Sequence, residues 1–260
     1  MTVRTLLGVY AHPDDECTCA GGVFARHADE GGRVILVSCT NGEFGDDVGG
    51  VKPGSAEHDP SRVAVTRHVE LDAACRRLGV SVIERLGYHD SGMPGWSELT
   101  DHTVFSDVPV EAVAARLAEL LDRYRPDIVL THNANADHEH VDHRHAARAT
   151  ALAVQNSDIS LYFSGHGLQR WRLLTEALAQ QGIHRAEPDR ERLRALAEIE
   201  SRITTRIDLG PAVLRKRAAL REHRSQLASS SAAQLSAEQY ASVFGTETFI
   251  RMHGNEELLT

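Results

Sequence analysis

Four apolar runs of strand length, near residues 4–10, 33–39, 82–87 and 127–132, alternate with stretches of helical periodicity near 17–31, 62–78, 109–124 and 143–155. Parallel neighbours in a sheet need a crossover, and crossovers of this length are helices, so the alternation predicts a mostly parallel sheet with helices on both faces. The fold class is therefore α/β and Rossmann-like, in one domain over 1–260, with no internal boundary or repeat. Leu161-Tyr162-Phe163 adds a strand, and the tail reads as helix near 188–200, strand near 203–209, helix near 211–228 and a short strand near 247–252. A chain of 260 residues buries roughly 70–75% of the surface its unfolded form exposes, enough for a core without disulfide or metal staples.

What ends two of these runs carries the chemistry. The first passes directly into His12-Pro13-Asp14-Asp15-Glu16, and the fourth into His132-Asn133 and, a few residues on, His138-Glu139-His140-Val141-Asp142-His143. Consecutive carboxylates repel one another unless a cation or hydrogen-bond donors compensate, and a divalent metal is the simplest compensation. Ligands in open α/β sheets collect outside the carboxyl ends of the strands, so the two clusters can face each other across one crevice. Catalytic zinc takes three ligands from His and carboxylate and keeps a place for water, which points to His12, Asp15 and His143. His12 and Asp15 stand three residues apart, a spacing that brings both to one side of a tight or first helical turn. Asp14 between them projects elsewhere and is free to act as a base. His140 and His143 share a face if a helix begins here, so one can ligate while the other protonates a leaving group. Asp142 can receive a ring N–H of a neighbouring histidine and fix its tautomer.

At these residues the chain resembles the LmbE-like (PIG-L) family of zinc-dependent N-acetylglucosaminyl deacetylases. His12-Pro13-Asp14-Asp15-Glu16 matches the family's HPDDE, and His140-Val141-Asp142-His143 matches its HPDH with Val in place of Pro. The resemblance implies zinc on His12, Asp15 and His143, with Asp14 as general base and His140 as general acid or oxyanion partner. It extends to Thr40-Asn41-Gly42-Glu43, to Arg67, to Tyr88-His89-Asp90-Ser91-Gly92-Met93, and to the segment from Lys216 through His223, Ser225 and Gln226, which is similar to the actinobacterial branch handling mycothiol and its precursors. Glu43, Arg67, Asp90, Met93 and His223 are thereby expected to line the substrate pocket.

Plainer readings stand beside some of these. Arg67 and Asp90 read equally as a structural ion pair between helix and loop. His132, His138 and His145 exceed what one mononuclear site can use and read as surface or supporting residues. Trp96, in a loop, can stack on a sugar face. The Gly-rich segment 42–59 and the segment 91–107 leave strand ends on the site's side and can close over substrate.

Composition narrows the partners. The net charge is −9 and the basic residues are interleaved with acids at helical spacing, so nucleic acid is not an expected partner. No stretch is long enough to span a bilayer. Cys17, Cys19, Cys39 and Cys75 form no C-x-x-C pair and read as small buried apolar residues, which suits the cytoplasm. A homo-oligomer is compatible with the sequence. The expected activity is removal of the acetyl group from an N-acetylated amino sugar or glycoside, with Zn2+, or Fe2+ on the same His/carboxylate set. An amidase acting on a bulky mycothiol-type conjugate is the near alternative. A non-catalytic nucleotide- or sugar-binding module is the distant one, disfavoured because the first strand is not followed by a Gly-x-Gly-x-x-Gly phosphate loop.

Overall fold

The computed structural model describes residues 4–96, 100–134 and 140–259. Its strands are β1 (Thr5–Tyr10), β2 (Arg33–Thr40), β3 (Val82–Tyr88), β4 (Ile128–Thr131), β5 (Ser160–Ser164), β6 (Thr205–Asp208) and β7 (Thr246–His253). Its helices are α1 (Asp15–Cys19), α2 (Gly21–Asp29), α3 (Pro60–Leu78), α4 (Val110–Tyr124), α5 (Val141–Val154), α6 (Leu168–Ala179), α7 (Arg190–Arg202), α8 (Ala212–Leu220) and α9 (Ala237–Phe244). The strands form one sheet in the order β3-β2-β1-β4-β5-β7-β6. β1 to β5 pair in parallel, and β7 runs antiparallel between β5 and β6.

Central strands covered on both faces must be apolar throughout, which is why β1, β4 and β5 read as unbroken hydrophobic runs. Alternate residues serve opposite cores. Leu6, Tyr10, Val34, Leu36 and Tyr162 pack with Phe24 of α2, Leu71 of α3, Leu220 of α8 and Phe244 of α9. Leu7, Val9, Ile35, Val37 and Phe163 pack with Val113 and Leu117 of α4, Ala146 of α5 and Ile199 of α7. Gly8 interrupts β1 because Phe24 lies too close for a side chain: a Cβ there would stand 2.5 Å from its ring. The ends of α3 follow the ordinary signals, with the Asp59 carboxylate accepting from the Arg62 N–H, Pro60 opening the helix, and Gly79 closing it at φ 78°.

Three departures from the sequence reading have local causes. The helix expected near 17–31 is broken at Ala20 (φ −143°) into α1 and α2. The N–H groups of Gly22 and Val23, at the start of α2, donate instead to the buried Glu247 carboxylate, at 2.9 and 2.8 Å. The helix expected near 211–228 stops at Leu220, because the residues beyond are engaged by carboxylates elsewhere: Ser225 donates through its backbone N–H and its hydroxyl to Glu70 at 2.8 and 2.7 Å. Helices α6 and α9 lie in segments where no helix was expected.

The strand order reverses direction between β1 and β4, and the crevice at their carboxyl ends is where such sheets hold ligands. No helix among the described residues is long and apolar enough to cross a membrane. All four cysteines are buried and free.

Candidate active site

Both clusters meet at that crevice. β1 delivers His12 at its end, and the chain turns at once into α1, so that Asp15 folds back and its Oδ2 accepts the His12 backbone N–H at 2.8 Å. The same oxygen lies 3.3 Å from His12 Nδ1. From the other side, α5 begins at Val141 and brings His143 Nε2 to 3.3 Å from Asp15 Oδ1. Donor atoms of His12, Asp15 and His143 all lie within 4.8 Å of one another, a group able to hold a metal ion.

His12, Asp90, His140 and Asp142 form a second convergent group, on the opposite edge of the same imidazole. Asp142 is fully buried. Its Oδ2 sits 3.2 Å from His12 Nε2 and accepts the Ser91 N–H at 3.0 Å. Asp90 Oδ1 is 3.4 Å from the same ring nitrogen and accepts the Gly92 N–H at 2.8 Å. Two carboxylates on Nε2 favour a proton there, which leaves the Nδ1 lone pair facing Asp15 for a cation. The two groups therefore read as one coordinating set and the carboxylates that orient it.

Asp14 occupies an unusual backbone position. Its φ is 116°, a value that costs a non-glycine residue energy unless its surroundings enforce it. This turns its carboxylate away from Asp15 and toward Arg67, whose guanidinium lies 3.0 Å from Asp14 Oδ2 and also donates to the carbonyls of Gly42, at 2.8 Å, and Pro13. The Asp14 side chain remains 27% exposed. Burial raises its pKa, with Arg67 acting against the shift. For Asp15, burial likewise opposes ionisation, but His143 and His132 outweigh it and hold the carboxyl well below the ordinary range.

His140 stands just before α5, with its Nδ1 accepting the Asp142 N–H at 3.2 Å and its ring 4.6 Å from that of His12. That bond assigns its proton to Nε2. Burial, together with the neighbouring His12, lowers its pKa to about 4, so the ring is neutral near pH 7.

The remaining expected residues fall in different places. Arg67 and Asp90 do not form the ion pair with each other that one reading allowed: Arg67 pairs with Asp14 and Asp90 with His12. Glu43 is buried and braces the loop that carries Asp90, accepting the Asp90 N–H at 3.1 Å and contacting His89 Nδ1 at 2.6 Å. Met93 is exposed. His223, expected to line the substrate pocket, is fully buried with its Nε2 on Glu16 at 2.7 Å, and it stands in the wall of a cavity that Asp14 and Asp15 also border. His132 has the expected supporting role: its Nε2 accepts the Ala11 N–H at 3.0 Å and its ring stacks on His143 at 3.9 Å. His145 packs edge-on against Phe105, away from the coordinating set. Trp96 is half-buried against Phe44, ring centroids 6.2 Å apart. His138 and Ser97 lie outside the described residues.

Two cavities, of about 230 and 240 Å3, open beside Asp15 and Thr18. One is bordered by Asp14, Gln226 and Ser229, the other by His140, His143, His166 and Arg170. The sequence reading missed His166 and Arg170. Gly165-His166-Gly167 follows β5 as the histidine motifs follow β1 and β4, so the strand-end rule that found the others was available here too. Glu16 closes the first motif. It proves to be fully buried, accepting the Asp14 N–H at 2.8 Å.

Comparison with known proteins agrees with this architecture. Residues 7–154 match the family PIG-L, GlcNAc-PI de-N-acetylase. The 1D-myo-inositol 2-acetamido-2-deoxy-alpha-D-glucopyranoside deacetylase of Thermobifida fusca is 32% identical over 274 aligned positions, covering 98% of this chain and 95% of the relative. Among solved structures, the N,N'-diacetylchitobiose deacetylase of Pyrococcus horikoshii superposes with a TM-score of 0.63 at 20% identity, covering 96% of this chain and 84% of that one. The 4-carboxy-2-hydroxymuconate hydratase of Pseudomonas putida superposes with a TM-score of 0.59 at 20% identity, covering 98% of each. At such identities the structural likeness establishes the fold alone, and a deacetylase and a hydratase share it, so the reaction has to be read from the site. The sequence matches decide the lineage: the chain belongs to the PIG-L family of GlcNAc-PI de-N-acetylases.

Proposed function

We propose that the protein is a zinc-dependent N-deacetylase that hydrolyses the acetamide of a small N-acetylated amino-sugar glycoside, of the kind named for its Thermobifida relative. The observation that carries this is the division of labour between adjacent acids. Asp15 turns inward to His12 and His143, while Asp14, on its left-handed backbone, holds a partly exposed carboxylate beside them.

The donor set fits the metal. Two imidazoles and one carboxylate suit zinc, and Fe2+ as well, and the orientation of His12 by Asp142 and Asp90 is the support such ligands need. A divalent ion held by His12, Asp15 and His143 supplies Lewis acidity, lowering the pKa of water and polarising the amide carbonyl.

The chain's own groups do the rest. Asp14, its pKa raised by burial, accepts a proton from the attacking water as the water oxygen bonds to the carbonyl carbon. His140, with its proton on Nε2, donates a hydrogen bond to the developing oxyanion. The proton on Asp14 passes to the nitrogen as the C–N bond breaks, releasing acetate and the free amine. Arg67 holds Asp14 in place, and Met93, exposed in the loop after Asp90, is offered as a contact for the sugar. Free buried cysteines support a cytoplasmic setting.

The test is acetate release from a panel of N-acetylated amino sugars and pseudodisaccharides, with a bulkier acyl conjugate alongside. Turnover of the acetamido glycosides supports the reading. Turnover of the conjugate alone would favour the amidase, and no turnover with zinc supplied would contradict both.

A further inference from the structure

The left-handed backbone of Asp14 needs something to enforce it, and Arg67 grips only the carboxylate and neighbouring carbonyls. The backbone N–H of Asp14 points to Glu16 Oε2 at 2.8 Å. The other oxygen, Glu16 Oε1, receives His223 Nε2 at 2.7 Å and the Cys17 thiol at 2.9 Å. Glu16 and His223 are both fully buried, and they belong to segments 207 positions apart in the chain. A buried carboxylate persists only when its oxygens are satisfied, and here the donors are the His223 ring and the Cys17 thiol on one oxygen and the Asp14 backbone N–H on the other.

We propose that Glu16 and His223 form a positioning pair for the Asp14 base: His223 holds the Glu16 carboxylate in one orientation, and Glu16 holds the Asp14 amide so that the residue keeps φ near 116°. This rests on the reading of Asp14 as base given above. The bonds of the pair run to Asp14 and to each other rather than to His12 or His143. The short stretch after α8, reading His223-Arg224-Ser225-Gln226, thus reaches the reaction centre through the backbone of the first motif. Ser225 on Glu70 and Gln226 on the backbone of Asp46 anchor the stretch itself. The pair explains why a third acid follows Asp14 and Asp15 when the coordinating set uses only one.

The experiment uses the full-length, zinc-loaded protein with an acetamido glycoside, measuring kcat, KM and bound zinc for each variant. His223→Leu removes the donor, and Glu16→Gln, isosteric and therefore tolerant of the fold, replaces a charged acceptor by a weaker neutral one. Both should lower kcat by about 10- to 100-fold, the usual cost of losing a supporting residue at a metal site, with KM and zinc content unchanged. His223→Gln, which can still donate an N–H toward Glu16, should recover to within about 3-fold of the parent, a rescue that a purely space-filling role would not give. Parent-level kcat in Glu16→Gln and His223→Leu overturns the proposal. So does a joint loss of zinc and kcat that His223→Gln fails to relieve. If His223→Leu does not fold, Glu16→Gln and His223→Gln decide between these results. Absence of acetate release by the parent protein would instead overturn the base assignment itself, and the pair with it.

Discussion

Two buried polar clusters lie within the same layer of this molecule and differ in how completely they are satisfied. Beneath α2, Glu247 is saturated: it accepts from Gly22 N–H, Val23 N–H and the fully buried Lys216 Nζ, the last at 2.6 Å. At the crevice, Asp15, Asp90 and Asp142 converge on His12, and one of their oxygens, Asp142 Oδ1, has no partner among the described residues. The first arrangement is a pin that locks α2 to α8 and β7. The second leaves an acceptor unanswered and brings together donor atoms able to hold a cation. Burial alone does not distinguish structure from function; the balance of donors and acceptors does.

The sharpest way to break this contrast is to remove a coordinating side chain. His12→Ala or His143→Ala should abolish zinc retention and acetate release together while the fold persists, as checked by metal analysis and circular dichroism. A variant that keeps its zinc would move the centre elsewhere. Asp14→Ala should separate the two properties, retaining zinc while kcat falls by about 10²- to 10⁴-fold, the range for loss of a general base. Parent-level turnover would remove Asp14 from that role.

The saturated cluster should respond in the opposite sense. Lys216→Met leaves the Glu247 charge buried without its cation and should lower unfolding stability by about 3–5 kcal/mol in denaturant titration, while the folded fraction still binds zinc. A milder effect is expected at His166. Burial, and then Arg170, hold its pKa well below the ordinary 6.5. Below that pH the unfolded chain binds a proton that the folded chain refuses, so stability declines as pH falls. One such proton contributes at most about 1.4 kcal/mol per pH unit. His166→Gln should flatten the fall of the melting temperature under mildly acidic conditions; an unchanged slope would assign it to other groups.

The alternation of strands and helices and the two stretches that bring His12, Asp15 and His143 together were legible in the sequence because their signals are local. Each is an apolar run that stops at a cluster of ligand-type residues, and His12 with Asp15, or His140 with His143, is set by a spacing of three. What escaped was held by distant partners. Ala20 breaks a helix whose apolar pattern continues, because Glu247 from the last strand captures the amides of Gly22 and Val23. That His223 Nε2 faces Glu16 is not legible in the sequence either, because the two stand 207 positions apart and meet only through packing. Arg67 was recognisable as important but not as the partner of Asp14, since nothing local in α3 points to a residue 53 positions earlier.

The central claim is that the carboxyl ends of β1 and β4 together hold one cation on which amide hydrolysis depends. Zinc content and acetate release, followed in one sample as a chelator is titrated in and zinc is then restored, test it directly. The account predicts that both fall in parallel from one bound ion per chain and return together. Undiminished acetate release from fully demetallated protein would contradict it.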